Sequence, residues 1–192
     1  MSIQLDHSVG SAIQPAARPL ERGVDWRTQP LELLVDHIVS RHHAFTRKEL
    51  AQAHRLAEKV RNVHGAGHPE LAEVVDLVVE LADEMIPHLQ KEERVLFPSI
   101  LALTNVPSAP SALPFGSVSM PIARMMADHK VADEILAELR AVTLRYRLPE
   151  GACGSYRALY TSLADLDRDL QEHMRLEGDI LFPRAEALAE RC

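Results

Sequence analysis

The chain has 192 residues, a formal charge of -7, and a composition that is 46% hydrophobic but only 4% aromatic. Its length suits one domain with a substantial core. The acidic balance argues against a nucleic-acid surface, which needs a basic patch, and no apolar run of about 18 residues offers a membrane span.

The opening segment, Met1 to His7, lacks the basic start and apolar centre of a signal peptide, so a soluble cytoplasmic protein is expected. Cys153 and Cys192 are the two cysteines, and neither lies in a Cys-x-x-Cys pattern, so both read as reduced bystander thiols. Leu, Ala and Val are abundant and no stretch alternates with period two. An all-helical fold is expected.

Residues 1–27 carry Gly10, Pro15, Pro19 and Gly23 with little periodicity and read as an irregular lead-in, with the bundle domain spanning 28–192. Pro30 and Glu32 suit the first turn of a helix expected from Pro30 to Val63. Val35, Val39, His43 and Leu50 follow at helical spacing, with Ile38, His42 and Phe45 as the neighbouring row. The first row turns His43 inward, and phase alone leaves open which of the adjacent histidines is the ligand.

The segment from His64 to His68 reads as a short turn, and Pro69 starts a second helix. Its inward stripe is Val74, Val78, Leu81, Met85, His88, Glu92 and Val95, and Pro87 is expected to kink it just before the two polar members. Residues 104–118 form the longest internal loop, after which Ser119 and Pro121 read as cap and first turn of a third helix. The third stripe is Ile122, Met125, His129, Ala132, Leu136 and Leu139, and Leu148 to Gly151 is expected to close that helix. The last helix is expected from Cys153 to Ala189, with Leu159, Leu163, Leu166, Leu170, His173, Glu177 and Ile180 inward. Two short hairpin turns around one long crossing imply an antiparallel up-down-up-down four-helix bundle, apolar inside except for one polar layer.

That layer comes from an internal repeat. His88 to Pro98 recurs as His173 to Pro183, each with His-x-x-x-Glu and a Leu-Phe-Pro ending. Four residues make about one helical turn, so each His and Glu share a face and can grip one cation from one side. His43 precedes His88 by 45 residues and His129 precedes His173 by 44, so each hairpin also offers a histidine on its first helix. Two buried unpaired carboxylates would be costly, and a pair of bound cations removes that cost. Imidazole and carboxylate ligands without thiolate suit iron or manganese, then zinc, ahead of copper.

The chain resembles the haemerythrin-like proteins, and among them the Repair of Iron Centres family, di-iron proteins linked to mending iron-sulfur clusters. The resemblance rests on Asp25-Trp26-Arg27, Asp36-His37-Ile38-Val39 with Arg41-His42-His43, Lys91-Glu92-Glu93 with Leu96-Phe97-Pro98, Pro149 to Cys153, and Leu181-Phe182-Pro183-Arg184. It implies six metal ligands, His43, His88, Glu92, His129, His173 and Glu177, with the two glutamates bridging two non-haem iron ions joined by an oxo or hydroxo group. It selects His43 over His42, and it places acidic residues at Glu84 and Asp128, on a route for protons or metal. His64 also matches a family histidine, but reads here as a loop residue without a role. Oxygen-carrying haemerythrins use a second histidine on the third helix, where this chain has Asp133, so a simple oxygen carrier is disfavoured.

The function implied is repair of iron-sulfur clusters under nitrosative and oxidative stress, by iron donation or by binding NO and reducing it at the di-iron site. NO or O2 are the implied small ligands and damaged iron-sulfur proteins the implied partners. The alternative is a non-catalytic NO or O2 sensor or scavenger. Full-length family members resemble this chain but begin with a small domain bearing a Cys-Cys pair, and residues 1–24 hold no cysteine.

Overall fold

The computed structural model describes residues 24–105 and 117–191, so the expected lead-in to residue 23 and most of the long crossing lie outside the described residues. Seven α segments make four rods. The first rod joins α1 (Leu31–His37) and α2 (Ala44–His64) through a π turn at Ile38–His43; the second joins α3 (Glu70–Lys91) and α4 (Phe97–Asn105) through a π turn at Glu92–Leu96. Helix α5 (Ser119–Val142) is the third, and α6 (Gly154–Leu176) continues through a π turn at Glu177–Leu181 into α7 (Phe182–Ala189) as the fourth. Helix α2 packs along α3 and α6, and α3 packs along α5, closing an all-α four-helix bundle.

The expected stripes become the core with few exceptions. All six expected positions of the third helix are buried, as are all seven of the last. The second stripe fails at its end, because Val95 is 39% exposed while Leu96 and Phe97 turn inward. A π turn carries one residue more than an α turn, which shifts the buried face by a position. Ile180, the counterpart of Val95 in the repeat, stays buried because α1 packs over the π turn at Glu177–Leu181.

Pro87 sits inside an α3 that stays helical to Lys91, so the irregularity next to the polar residues is the π turn that follows. The residue flanking α5 is Val118, not Ser119; the hydroxyl of Ser117 accepts the Ser119 N–H at 3.2 Å. Helix α5 stops six residues before Leu148. Leu144, Arg145 and Tyr146 take left-handed φ of 49°, 58° and 60°, held by Arg145 N–H donating to Arg140 O and Tyr146 N–H to Thr143 Oγ1. No glycine announces this stop, which hid it from a sequence reading.

The interior divides into two apolar clusters. One runs from Leu50 and Leu71 through Leu81, Met85, Leu136 and Leu170; the other gathers Leu34, Ile38, Phe97, Ile100, Ile122, Leu181 and Phe182. The polar layer lies between them. It is not the sole buried polarity: Glu49 accepts from Ser162 Oγ at 2.6 Å, and Asp167 accepts from Tyr146 Oη at 2.9 Å and Arg140 at 2.7 Å. No described helix is long and apolar enough to cross a membrane.

Leu81 is fully buried in the first cluster whereas Val79, two residues before it, is 38% exposed. Leu81→Ala should cost about 3 kcal/mol and lower the melting temperature by roughly 6–12 °C, with Val79→Ala within about 0.5 kcal/mol of the parent. Thermal unfolding followed by circular dichroism measures both, and equal effects would contradict this packing.

Candidate metal centre

Each π turn falls beside a polar residue of the central layer. The first ends on His43, and the second and third begin on Glu92 and Glu177. Widening a helix locally turns consecutive residues toward the interior. His42 and His43 are both buried on the first of these turns, and of the two it is His43 that joins the ligand groups.

Six side chains converge. His43, Glu92, His173 and Glu177 form one group, and His88, Glu92, His129 and Glu177 another, with the donor atoms of each group within 4.8 Å of one another. Both groups contain both glutamates. His43 Nε2 lies 3.2 Å from His173 Nε2, and His129 Nε2 lies 3.2 Å from His88 Nε2. His173 Nε2 approaches Glu177 Oε1 at 3.0 Å, His129 Nε2 approaches Glu177 Oε2 at 3.0 Å, and His88 Nε2 approaches Glu92 Oε2 at 3.3 Å.

Whether these groups suit a cation is decided by their hydrogen bonding. All four carboxylate oxygens of Glu92 and Glu177 are buried without a hydrogen-bond partner, although imidazole nitrogens stand within 3.0 Å of Glu177 and 3.3 Å of Glu92. Such orphaned charge in an apolar core is costly. Nε2 atoms facing each other and the carboxylates are placed as lone-pair donors to a shared centre. Separations of about 3.0–3.4 Å are those of neighbouring ligands around an ion held at about 2.1 Å. The donor set fits a metal.

The surroundings orient the imidazoles. His43 Nδ1 meets Glu93 Oε1 at 2.7 Å, and Arg47 holds that same oxygen at 2.9 Å. The His43 ring stacks on Phe97 with centroids 5.6 Å apart, and His129 stacks on Phe182 at 6.0 Å. The repeated Leu-Phe-Pro ending therefore supplies each hairpin with an aromatic wall for its own first histidine. His42 lies parallel to His173 at 6.1 Å and pairs with buried Asp169 at 3.1 Å, a partner without any sequence signal.

Asp128 is buried, 3.6 Å from His88 Nδ1, and is held by Lys91 Nζ and Arg124 Nε at 3.0 Å each. Glu84 is partly exposed on α3, one turn before His88. His64 ends α2 rather than lying in a loop, and its Nε2 is 3.1 Å from Cys153 Sγ. Backbone N–H groups at the start of α6 together with His64 draw the exposed Cys153 thiol down to about 7. By helix rise, His64 stands about 30 Å along the bundle from His43. Neither it nor Cys153 reaches the centre.

The imidazoles and carboxylates of the cluster act on one another at close range. Burial works against a proton on His43, but Glu177 and Glu92 outweigh it and lift the group to about 9. His88 is likewise raised by Glu92 against burial, whereas burial dominates at His173 and lowers it. Burial disfavours both carboxylates, yet the imidazoles around them keep Glu92 below and Glu177 well below the usual range.

A metal needs the lone pair of His43, which carries a proton below about pH 9. Binding must expel that proton, so affinity should rise about tenfold per unit from pH 7 towards 9 and then level off. Competition titration with Co(II) against a chelator of known strength measures the slope. A flat profile would show that no histidine proton is displaced.

Residues 34–185 match the model of the Hemerythrin HHE cation binding domain. The chain is 38% identical over 159 residues to the iron-sulfur cluster repair protein DnrN of Neisseria gonorrhoeae, covering 83% of this chain and 94% of that protein. It is 36% identical over 161 residues to the iron-sulfur cluster repair protein YtfE of Yersinia pseudotuberculosis serotype IB (strain PB1/+), covering 84% of this chain and 68% of that one. The same figures hold for YtfE of Yersinia pestis (strain Pestoides F). With its buried histidine and glutamate groups able to hold a metal, the chain belongs to the haemerythrin HHE cation-binding family.

Proposed function

We propose that the protein is a non-haem di-iron protein that takes part in the repair of iron-sulfur clusters, with His43, His88, Glu92, His129, His173 and Glu177 as the ligands. The observation that carries this reading is the overlap of two four-residue groups through Glu92 and Glu177, whose oxygens have no other partner. One shared pair of carboxylates between two pairs of imidazoles suits two adjacent ions. The names of the relatives supply the repair context.

Two chemical modes are open to such a centre. In the first, iron is cargo passed to a damaged cluster on another protein. In the second, two adjacent ferrous ions would supply two electrons and neighbouring open positions, the requirement for joining two NO molecules, with two protons, into nitrous oxide and water. Protons for that chemistry come from the chain. Asp128 beside His88, and Glu84 one turn before it on α3, are in this reading the residues that line a route for protons or metal. Phe97 and Phe182 exclude water from the histidine faces they cover.

Anaerobically purified protein should contain two irons per chain. His173→Ala should lose more than half of the iron, while His64→Ala keeps it, since His64 bonds only with the distant Cys153 end of the bundle. Equal losses in both, measured by elemental analysis, would refute the ligand set.

Incubation of the loaded protein with an apo iron-sulfur protein, and separately with NO and a reductant, then divides the modes. Cluster formation in the acceptor without added iron establishes donation, and repeated release of nitrous oxide establishes NO reduction. NO bound once, with neither outcome, would mark a scavenger or sensor and refute the repair role.

A further inference from the structure

The two halves of the centre share both carboxylates, so any chemical difference between them must come from their histidines. In the first half, His43 Nδ1 is bonded to Glu93 at 2.7 Å, and Arg47 anchors Glu93. An imidazole that donates Nδ1–H to a carboxylate has its tautomer and ring plane fixed and its Nε2 made more basic. His173 in the same half is fully buried and backed by the parallel ring of His42, itself tied to Asp169.

The internal repeat withdraws this support from the second half. The residue corresponding to Glu93 is Gly178, and the one corresponding to Arg47 is Asp133. A Cβ placed on Gly178 would sit 3.5 Å from Met126 Cε, so the space that a carboxylate fills in the first hairpin borders a thioether in the second. Asp133 is engaged elsewhere, accepting from Gln171 at 2.7 Å. His88 gains no substitute: Asp128 stands 3.6 Å from its Nδ1 and is turned to Lys91 and Arg124, leaving that Nδ1 without a partner, as His173 Nδ1 is in the first half, so the halves differ in the carboxylate that Glu93 gives His43. Of the four imidazoles, His43, His88 and His173 are fully buried and His129 alone is exposed at all, by 5%.

We infer that Glu93 makes the two metal positions unequal, so that the His43–His173 position retains its ion and the His88–His129 position is the exchangeable one. The inference rests on the di-metal reading above and deepens it, since in an iron donor the exchangeable position is the one that delivers. Glu93 is a positioning residue acting through His43. Loss of an outer carboxylate of this kind typically weakens metal binding about 10–100-fold.

The test is a chelator chase of full-length protein loaded with two equivalents of Co(II), followed by visible absorption and by metal analysis after rapid desalting. The parent should release one ion fast and one slowly, with rates about 10–100-fold apart. His129→Ala should leave only the slow phase and His43→Ala only the fast one, which assigns the phases. Glu93→Gln should accelerate the slow phase about 10-fold or more and leave the fast phase unchanged. Arg47→Gln, which frees Glu93 without touching a ligand, should accelerate the slow phase to a lesser degree.

Two ions leaving at one rate, or a Glu93→Gln variant in which both phases change equally, would overturn the inference while the di-metal reading stands. Fewer than two ions bound by the parent would overturn that reading and this inference with it. Circular dichroism of each variant separates lost metal support from lost fold.

Discussion

Two carboxylates, Glu92 and Glu177, are fully buried side by side between two apolar clusters, and the rest of the molecule is arranged around that constraint. Neither finds a hydrogen-bond donor. Removing a carboxylate from water costs several kcal/mol even after a protein relaxes around it, and a second one nearby adds repulsion. Only positive charge held at close range offsets this. Protonated imidazoles do so in part, as the raised His43 shows. Cations on the same spot would do so fully while also using the facing Nε2 lone pairs, so such a centre would exchange protons for metal.

The π turns follow from the same demand. In a regular helix Glu92 and Leu96, four apart, would share a face with Val95 beside them, and it is the added residue of the π turn that moves the buried face on to Leu96 and Phe97. A π turn admits the extra inward residue at the expense of regular hydrogen bonding, which is why such turns cluster at functional sites. Three of the four rods carry one at the level of the layer. Helix α5 contributes His129 alone to the ligand groups and needs none.

How much of this was legible in the sequence varies with how local the cause is. The bundle and five of the six converging residues could be read from helical spacing and the repeated His-x-x-x-Glu, because burial of an amphipathic stripe is a local rule applied along each helix. The choice between His42 and His43 could not, since the π turn that buries both has no compositional mark. The exposure of Val95 was hidden for the same reason. The end of α5 at Val142 rests on hydrogen bonds that Thr143 Oγ1 and Arg140 O accept from the Tyr146 and Arg145 N–H groups, in place of the expected Leu148 to Gly151. Asp169, 127 residues from His42, is a partner that only the tertiary fold supplies. Glu93 was visible within the Lys91-Glu92-Glu93 motif, yet its contact with His43 crosses between rods and lies beyond any one-helix rule.

The internal repeat and its imperfections serve different ends. A repeated hairpin gives two ligand pairs related by approximate two-fold symmetry, which accounts for the pairing of Phe97 with His43 and Phe182 with His129. Had the symmetry been complete, both ions would be held alike, and a protein that gives up one would give up both. The substitution of Gly178 for Glu93 breaks the tie within the shell around the ligands and leaves the ligands themselves symmetric. Meanwhile the apolar cluster from Leu50 to Leu170 lies to one side of the layer and is built from contacts that need no metal. In the donor mode such a separation would be required, because a bundle whose folding depended on its ions would unfold on delivering them.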